Sequence, residues 1–141
     1  MIVLDANILL YAYGTKSPQH ERARALVQRL FSGAEPVGLP WQTIAAFLRI
    51  STNTRLAGSR PVAEAALEVD EWLKQPCVRM LAPGDDHWSL LRRMAVDGQT
   101  SGVLVSDAEI AALTIEYGGV LYTADRDFAR FPGLRWKNPL S

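Results

Sequence analysis

The sequence predicts an α/β fold in which a central, mostly parallel sheet is flanked by helices. Short apolar runs alternate along the chain with stretches of helical periodicity, as in strand-helix-strand units joined by right-handed crossovers. Two of these runs, Met1–Leu4 and Val120–Tyr122, stop just before an acidic segment. A short, continuous apolar run is typical of a strand buried on both faces. No repeat, low-complexity tract or linker interrupts the pattern, so residues 1–141 are expected to form one domain.

Proline marks the start of three predicted helices in the first half of the chain. Its fixed dihedral and missing donor suit the first turn of a helix. The helices are expected to begin near Pro18, Pro40 and Pro61, and the first is expected to end near Phe31. The side chains predicted to face inward are Leu26, Val27 and Leu30, then Ile44, Phe47 and Leu48, then Ala65, Val69, Trp72 and Leu73.

The second half of the chain continues the alternation. A helix over Val103–Tyr117 carries apolar residues at helical spacing and stops at Gly118-Gly119, a common helix C-terminus. The other predicted elements are a strand at Val78–Leu81, a helix through Met94 capped by Asp85 or Asp86, the strand Val120–Tyr122 and a short last strand at Arg135-Trp136.

Acidic residues follow two of the predicted strands directly. Asp5 ends the first apolar run, and Asp125 lies just after Val120–Tyr122. Because ligands of open parallel sheets bind in the crevice at the carboxyl ends of the strands, we expect these two side chains to meet in space. Asp107 lies near the start of a predicted helix, where it either joins this group or simply caps the helix.

A cluster of carboxylates predicts a divalent metal site. Like charges a few ångströms apart repel one another unless a cation neutralises them. Mg²⁺ and Mn²⁺ suit all-oxygen ligation, and the chemistry indicated is metal-assisted phosphodiester hydrolysis. A zinc site is not expected, because one cysteine and two separated histidines give none of the usual ligand spacings.

Four segments resemble the metal-site stretches of one nuclease family. The chain is similar, over nearly its whole length, to a PIN domain of the VapC type, the ribonuclease toxin of bacterial and archaeal toxin-antitoxin pairs. The order and spacing of the segments carry the resemblance. They are Leu4-Asp5-Ala6-Asn7, Leu39-Pro40-Trp41 with Phe47-Leu48-Arg49-Ile50, Ser106-Asp107-Ala108 with Ala111-Ala112-Leu113, and Thr123-Ala124-Asp125-Arg126-Asp127-Phe128-Ala129-Arg130-Phe131-Pro132-Gly133-Leu134.

The resemblance implies a three-layer PIN-like fold and a metal-dependent endoribonuclease that hydrolyses RNA. Asp5, Asp107 and Asp125 correspond to the family's metal-site acids, with Asp127 as an auxiliary ligand for Mg²⁺ or Mn²⁺. It further implies a toxic activity, a cognate antitoxin that covers the site, and a homodimer.

One acid of the family pattern is absent. The family usually has an acid immediately before Phe-Leu-Arg, where this chain has Ala46. Glu109, two residues past Asp107, points away from it on a helix and is a poor substitute. Losing one carboxylate weakens metal binding while sparing the fold. Ala46 is either an inactivating substitution made to produce a toxic enzyme or a natural feature of a weakly active member.

Two alternatives to an active ribonuclease remain. The first is a non-catalytic PIN domain that still binds an antitoxin or RNA. The second is a phosphatase or dehalogenase with Asp5 as nucleophile. That class usually has a second aspartate two residues later, where this chain has Asn7, and a suitably placed lysine is missing. The phosphatase or dehalogenase hypothesis is therefore disfavoured.

Composition places few further limits on function. The formal net charge is zero, so the whole-molecule field gives no sign of a nucleic-acid partner, and no apolar run approaches the length of a membrane span. A cytoplasmic protein is expected, in which Cys77 is a reduced core thiol. Two of five arginines near the motifs are expected to contact phosphates; the five are Arg49, Arg55, Arg60, Arg126 and Arg130.

Two polar residues beside the acids and four tryptophans complete the candidates. Asn7 and Thr123 each neighbour a predicted metal ligand and are able to orient it or to form a turn. The tryptophans are expected mainly in the core or at subunit contacts, with base stacking as the alternative. They are Trp41, Trp72, Trp88 and Trp136.

Overall fold

The computed structural model describes all 141 residues and contains five strands and six α-helices. The strands are β1 (Ile2–Leu4), β2 (Val37–Pro40), β3 (Val78–Leu81), β4 (Val120–Tyr122) and β5 (Trp136–Lys137). The helices are α1 (Ala6–Tyr13), α2 (His20–Phe31), α3 (Trp41–Ser51), α4 (Val62–Leu73), α5 (His87–Asp97) and α6 (Leu104–Glu116), with a short 3-10 helix at Arg126–Arg130.

The five strands form one sheet in which every neighbouring pair is parallel. The strand order is β3-β2-β1-β4-β5, so the first strand of the chain lies at the centre. Ile2 pairs with Val37 on one side and with Val120 on the other. The predicted α/β fold is therefore confirmed. All five carboxyl ends lie along the same edge of the sheet, called here the acid edge because Asp5 follows β1 there.

Two hydrophobic cores sandwich the sheet, which gives three layers. The side chains of β1 alternate between them, since Ile2 and Leu4 belong to one core and Val3 to the other. The first core packs α1, α2, α3 and α4 against the sheet, and its largest side chains are Trp72 and Phe47. The second packs α5 and α6, with Met94 and Phe128 fully buried.

Two elements were not predicted. Helix α1 is only eight residues long and apolar almost all round, and it begins directly after β1 with Asp5 as its N-cap, so no periodicity or breaker marks it. Strand β2 contains Gly38 and Pro40, residues that weaken a strand prediction. Glycine is needed there, because a Cβ at position 38 would lie 2.7 Å from Leu81 Cδ1.

Other boundaries and burial predictions differ in detail. The predicted helix ending at Met94 continues to Asp97, and the short last strand lies one residue later than predicted. Leu73 was expected to pack inward but is 41% exposed, and Val103, the predicted first residue of the helix before Gly118, lies just outside α6 and is 87% exposed. Gly118 ends α6 as predicted, with a positive φ of 66° that L side chains rarely adopt. None of the helices has the length and apolar character needed to cross a lipid bilayer.

Candidate active site

Asp5 lies at the junction between β1 and α1. It follows the last residue of the central strand and serves as the N-cap of α1, where its Oδ1 accepts a hydrogen bond from the Ala6 backbone N–H at 2.7 Å. The side chain is buried, with 9% of its surface exposed. A carboxylate is therefore held in place at the centre of the acid edge.

Thr123 and Asn7 bind the other oxygen of Asp5. The Thr123 hydroxyl donates to Asp5 Oδ2 at 2.7 Å, and the Asn7 amide donates to the same oxygen at 3.1 Å. Asn7 also donates to Thr123 Oγ1 and accepts from the Ala124 N–H, both at 3.1 Å. These bonds join the ends of β1 and β4, so the predicted role of Asn7 and Thr123 in orienting Asp5 is supported by the geometry.

Asp125 and Asp127 come from the segment that follows β4. The Asp125 N–H donates to Thr123 Oγ1 at 3.0 Å, and Asp125 Oδ1 accepts from the Asp127 N–H at 2.8 Å. This second bond caps the 3-10 helix Arg126–Arg130. Both carboxylates are thereby fixed on a short, well-defined turn rather than on a free loop.

Asp107 reaches the same place from the first turn of α6. The N-cap position of this helix is Val103, which makes no side-chain capping bond, and Asp107 makes none either. The alternative interpretation of Asp107 as a helix cap is therefore wrong. Ligand atoms of three carboxylates lie within 4.8 Å of one another, and these belong to Asp107, Asp125 and Asp127.

Two of the acids at this edge, Asp5 and Asp107, have a raised pKa, chiefly because they are buried. Burial, followed by the charges of Asp5, Asp125 and Asp127, raises the pKa of Asp107 from 3.8 to about 6, while Arg130 opposes the shift. The pKa of Asp5 is also raised, chiefly by burial and further by Asp125, although its hydrogen bonds from Thr123, Ala6 and Asn7 act in the other direction. The folded chain thus holds excess negative charge here.

The donor set fits a hard divalent cation. Three carboxylates within 4.8 Å offer oxygen atoms only, and no histidine or cysteine belongs to the group. Oxygen ligation of this kind suits Mg²⁺ or Mn²⁺ rather than zinc. Asp5 is adjacent to the three-acid group and acts on both Asp107 and Asp125 electrostatically, but its two oxygens already accept three hydrogen bonds.

Ala46 lies half-buried in the middle of α3. It follows Gln42 by one helical turn, and the Gln42 amide donates to Glu109 Oε2 of α6 at 3.1 Å. The face of α3 that carries Ala46 is thus directed towards the helix that carries Asp107. The Ala46 methyl group supplies no ligand, and Glu109 is engaged by Gln42 and lies outside the three-acid group.

The five arginines near the motifs have different surroundings. Arg60 is paired with Glu68 and Glu64, and Arg130 donates to the backbone carbonyls of Gly98 and Gln99. These two serve the fold. The arginines that are exposed and form no ion pair are Arg49, Arg55 and Arg126.

The remaining candidates divide between core and surface. Cys77 is a buried free thiol, as predicted, and donates towards the carbonyls of Leu30 and Phe31. Trp72 is buried and donates to the Tyr13 hydroxyl at 2.7 Å. Trp41 and Trp88, in contrast, are 53% and 68% exposed, so neither is a core residue.

One contact near the site had no signal in the sequence. Thr43, buried in the first turn of α3, donates its hydroxyl to the Leu4 carbonyl at 2.8 Å and so anchors α3 beside Asp5. A threonine inside a helical pattern gives no indication of such a distant partner.

Comparison with known proteins places this geometry in a family. The PIN domain family matches residues 2–134. Ribonuclease VapC33 of Mycobacterium tuberculosis is 41% identical over 141 residues, which covers 99% of each chain.

Two solved structures share the fold. VapBC-1 from nontypeable Haemophilus influenzae has a TM-score of 0.72 and 20% identity over 100% of both chains. Mycobacterium tuberculosis VapC20, described as a Sarcin-Ricin loop cleaving toxin, has a TM-score of 0.69 and 19% identity over 96% of this chain and 99% of its own.

The family match and the VapC33 alignment both span nearly the whole chain. They agree with the parallel sheet and with the carboxylates gathered at its acid edge. The chain belongs to the PIN-domain family and, within it, to the VapC toxin ribonucleases.

Proposed function

We propose that this chain is the toxic component of a toxin-antitoxin pair and a Mg²⁺-dependent endoribonuclease of reduced activity. The observation that carries the proposal is the group of three carboxylates at the acid edge, with Asp5 beside it. Mn²⁺ is expected to support the same reaction in place of Mg²⁺. We propose that the whole chain, residues 1–141, acts as one PIN domain. Because the proposed substrate is RNA, we expect the protein to act in the cytoplasm.

The chain's own residues divide the work at this site. Asp107, Asp125 and Asp127 hold the cation, Asp5 completes the negative field, and Thr123 with Asn7 keeps Asp5 in one orientation. The chemistry that Mg²⁺ would supply when held by these residues is activation of a water and neutralisation of charge on the phosphate oxygens. Arg126 lies between Asp125 and Asp127 in the sequence, is exposed and forms no ion pair, and is proposed to contact the RNA phosphate.

The absence of an acid at position 46 lowers this activity. An alanine there removes about one negative charge from the cation's surroundings and weakens its binding. Asp107, Asp125 and Asp127 already lie close enough to share an ion, so we expect weakened turnover and an intact fold.

The partners follow from the family. VapBC-1 of Haemophilus influenzae, by its name, pairs a VapC toxin with VapB, and this chain matches that structure over its full length. We therefore propose a cognate antitoxin that covers the acid edge, and a homodimer as the assembled toxin. RNA is the proposed substrate, because the relatives are named ribonucleases.

The test is RNA cleavage by this chain and by its Ala46→Glu variant, measured side by side in Mg²⁺ or Mn²⁺ with a chelator control. We expect weak, chelator-sensitive cleavage by the chain and stronger cleavage by the variant. Equal cleavage by both would show that the aspartates suffice and that position 46 is unimportant. Cleavage by neither would contradict the ribonuclease proposal.

Ala46 also favours a second candidate function. A PIN domain without this acid is able to bind the antitoxin or RNA without cutting, because the missing carboxylate affects the metal and not the surrounding surface. The two functions are separated by the same assay combined with an RNA-binding measurement. Binding by the chain with no cleavage under any metal condition would favour the non-catalytic role.

A further inference from the structure

Trp41 is a large exposed aromatic side chain for which the fold provides no structural use. It is 53% exposed and belongs to neither hydrophobic core. Its indole N–H donates no hydrogen bond within the chain, in contrast to that of Trp72, and its ring pairs with no other ring. The stability of the chain therefore does not explain a tryptophan at this position.

The sheet register places Trp41 one residue after the position that lies opposite Asp5. Val3 pairs with Gly38, so the same register continued along both strands sets Pro40 beside Asp5, and Trp41 comes next. Neighbouring strands are about 4.8 Å apart. The hydrogen bond from Thr43 Oγ1 to the Leu4 carbonyl, at 2.8 Å, holds the first turn of α3 in this position.

A second contact places the same turn against α6. Gln42, the neighbour of Trp41, donates to Glu109 at 3.1 Å, and Asp107 lies two residues before Glu109 on that helix. Val105, one turn before Glu109 on the same helix, is a further exposed apolar side chain, with 39% of its surface exposed. Trp41 thus lies at the margin of the acid edge, between the helix that begins after β2 and the helix that carries Asp107.

We infer that Trp41 stacks on an unpaired nucleobase next to the scissile phosphate and so makes single-stranded RNA the preferred substrate. This inference rests on the proposed function. When an RNA phosphate is bound at the acids, the bases next to it lie near the margin of the acid edge, where Trp41 is. The exposed face of the Trp41 indole is a surface on which such a base can stack. Stacking of a base on an aromatic side chain contributes about 1–3 kcal/mol and tolerates any base. A base paired in a duplex has no free face to offer.

Stacking also answers an electrostatic difficulty at this site. The net charge of the chain is zero, and the acid edge repels phosphate until the cation is bound. An aromatic contact adds binding energy that does not depend on charge. Trp41 therefore supplies affinity for RNA that does not depend on the net charge of the chain.

Trp88 provides a matched control. It is 68% exposed and belongs to neither core, but it lies in the first turn of α5. The preceding residue, His87, lies 3.6 Å from Glu116 at the C-terminal end of α6, whereas Asp107 is at the N-terminal end of that helix. From Asp107 to Glu116 the helix rises by about 14 Å, so Trp88 is remote from the acids.

The experiment measures binding of a fluorescently labelled 12-nucleotide RNA, single-stranded or annealed to its complement, in Mg²⁺. It compares the chain with Trp41→Ala, Trp41→Phe and Trp88→Ala, all at exposed positions where folding is readily checked by circular dichroism. We expect Trp41→Ala to weaken single-strand binding by about 5-fold to 100-fold. Trp41→Phe should keep most of the affinity, Trp88→Ala should match the chain, and the preference for single strands should vanish in Trp41→Ala.

Unchanged single-strand affinity in Trp41→Ala would overturn the inference, and so would an equal loss in Trp88→Ala. A change in molecular mass on gel filtration without a change in RNA affinity would identify Trp41 as a protein contact and also overturn it. The proposed function fails separately, through absence of metal-dependent cleavage by the Ala46→Glu variant. If no variant binds RNA at all, both conclusions fall.

Discussion

The acid edge and the junction between α3 and α4 treat charge in opposite ways. At the junction, Arg60 pairs with Glu68 and Glu64, and its guanidinium lies 5.9 Å from the centre of the Phe47 ring. At the acid edge, no lysine or arginine forms an ion pair with any of the four aspartates. At the junction the charges are balanced by partners within the chain, whereas at the acid edge the negative charges have no cationic partner.

The difference separates stability from function. A half-buried charge with a partner stabilises the fold or is neutral to it, whereas like charges held together cost stability. The fold bears that cost at the acid edge, where the ends of β1 and β4 and the start of α6 bring the aspartates together. We interpret this local imbalance as the property that a cation-binding site requires.

The largest expected effect comes from removing a charge at the acid edge. Asp5→Asn, made in the Ala46→Glu variant, is expected to reduce metal-dependent RNA cleavage by more than about 100-fold, because it alters an acid of the site itself. The melting temperature should stay the same or rise, because burial and Asp125 raise the pKa of Asp5 and the charged form is disfavoured. Asp70→Asn, on the exposed side of α4, is the control. Full activity of Asp5→Asn would remove Asp5 from the site.

A smaller effect is expected from loosening an acid without removing it. Thr123→Val deletes the hydroxyl that donates to Asp5 and accepts from the Asp125 N–H. Cleavage by the Ala46→Glu variant should fall by about 10-fold to 100-fold. Thr114→Val is the matched control, since Thr114 is equally buried but its hydroxyl bonds only to the Ile110 carbonyl within α6. Equal losses in both variants would indicate a packing effect instead of a positioning one.

At the paired junction the expected change is in stability and not in activity. Arg60→Ala leaves Glu68 without its partner at a position where 21% of the side chain is exposed. The free energy of unfolding should decrease by about 1–2 kcal/mol, measured by urea denaturation. Lys74→Ala, which breaks an exposed pair with Glu71, should change it by close to zero. Loss of cleavage in a folded Arg60→Ala variant would show that the two regions are coupled.

The smallest effect concerns the pH dependence of stability. The pKa of Asp107 is about 6 in the folded chain, whereas the ordinary value, which applies to the unfolded chain, is 3.8. As pH rises, Asp107 therefore loses its proton at a lower pH in the unfolded chain than in the folded chain. Stability therefore decreases as pH rises from about 4 to about 6, and the full penalty is present above that range. Asp107 is half-exposed, so solvent screening limits the penalty to about 1 kcal/mol. Asp107→Asn should raise the unfolding free energy by this amount near pH 7.5 and leave it unchanged near pH 3.5.

Saturating Mg²⁺ should stabilise the unmodified chain more than Asp107→Asn, the opposite of the order expected without the cation. Because the cation stabilises the charged form, the unmodified chain should gain melting temperature on addition of Mg²⁺, and Asp107→Asn should gain less. Identical shifts in the two proteins would place the cation elsewhere.

The acid edge was easier to predict from sequence than the elements around it. Asp5 and Asp125 follow short apolar runs, and the geometry of parallel sheets brings such positions together, so local pattern was sufficient. The strands β3 and β4 have the predicted bounds for the same reason. In contrast, α1 has no polar face that would give a helical period. Strand β2 was missed because it contains Gly38, a residue that weakens a strand prediction but is required by the close packing against Leu81.

Side-chain partners far apart in sequence were beyond prediction. The contact of Thr43 with Leu4 and that of Gln42 with Glu109 depend on how α3 packs against β1 and α6. For the same reason the four tryptophans looked alike in sequence, although Trp72 is buried and Trp41 lies exposed at the site margin. Periodicity indicates which side chains prefer burial but not which ones the finished packing leaves outside.

The hydrogen bond between Thr123 and Asp5 has a consequence for how the activity arises during synthesis. It joins residues 118 positions apart in the sequence. A ribosome adds about 5–20 residues each second, so several seconds separate the appearance of the first acid from that of Asp125. Interrupted translation yields fragments without a complete site. The proposed nuclease activity therefore requires that synthesis has passed the segment that carries Asp125.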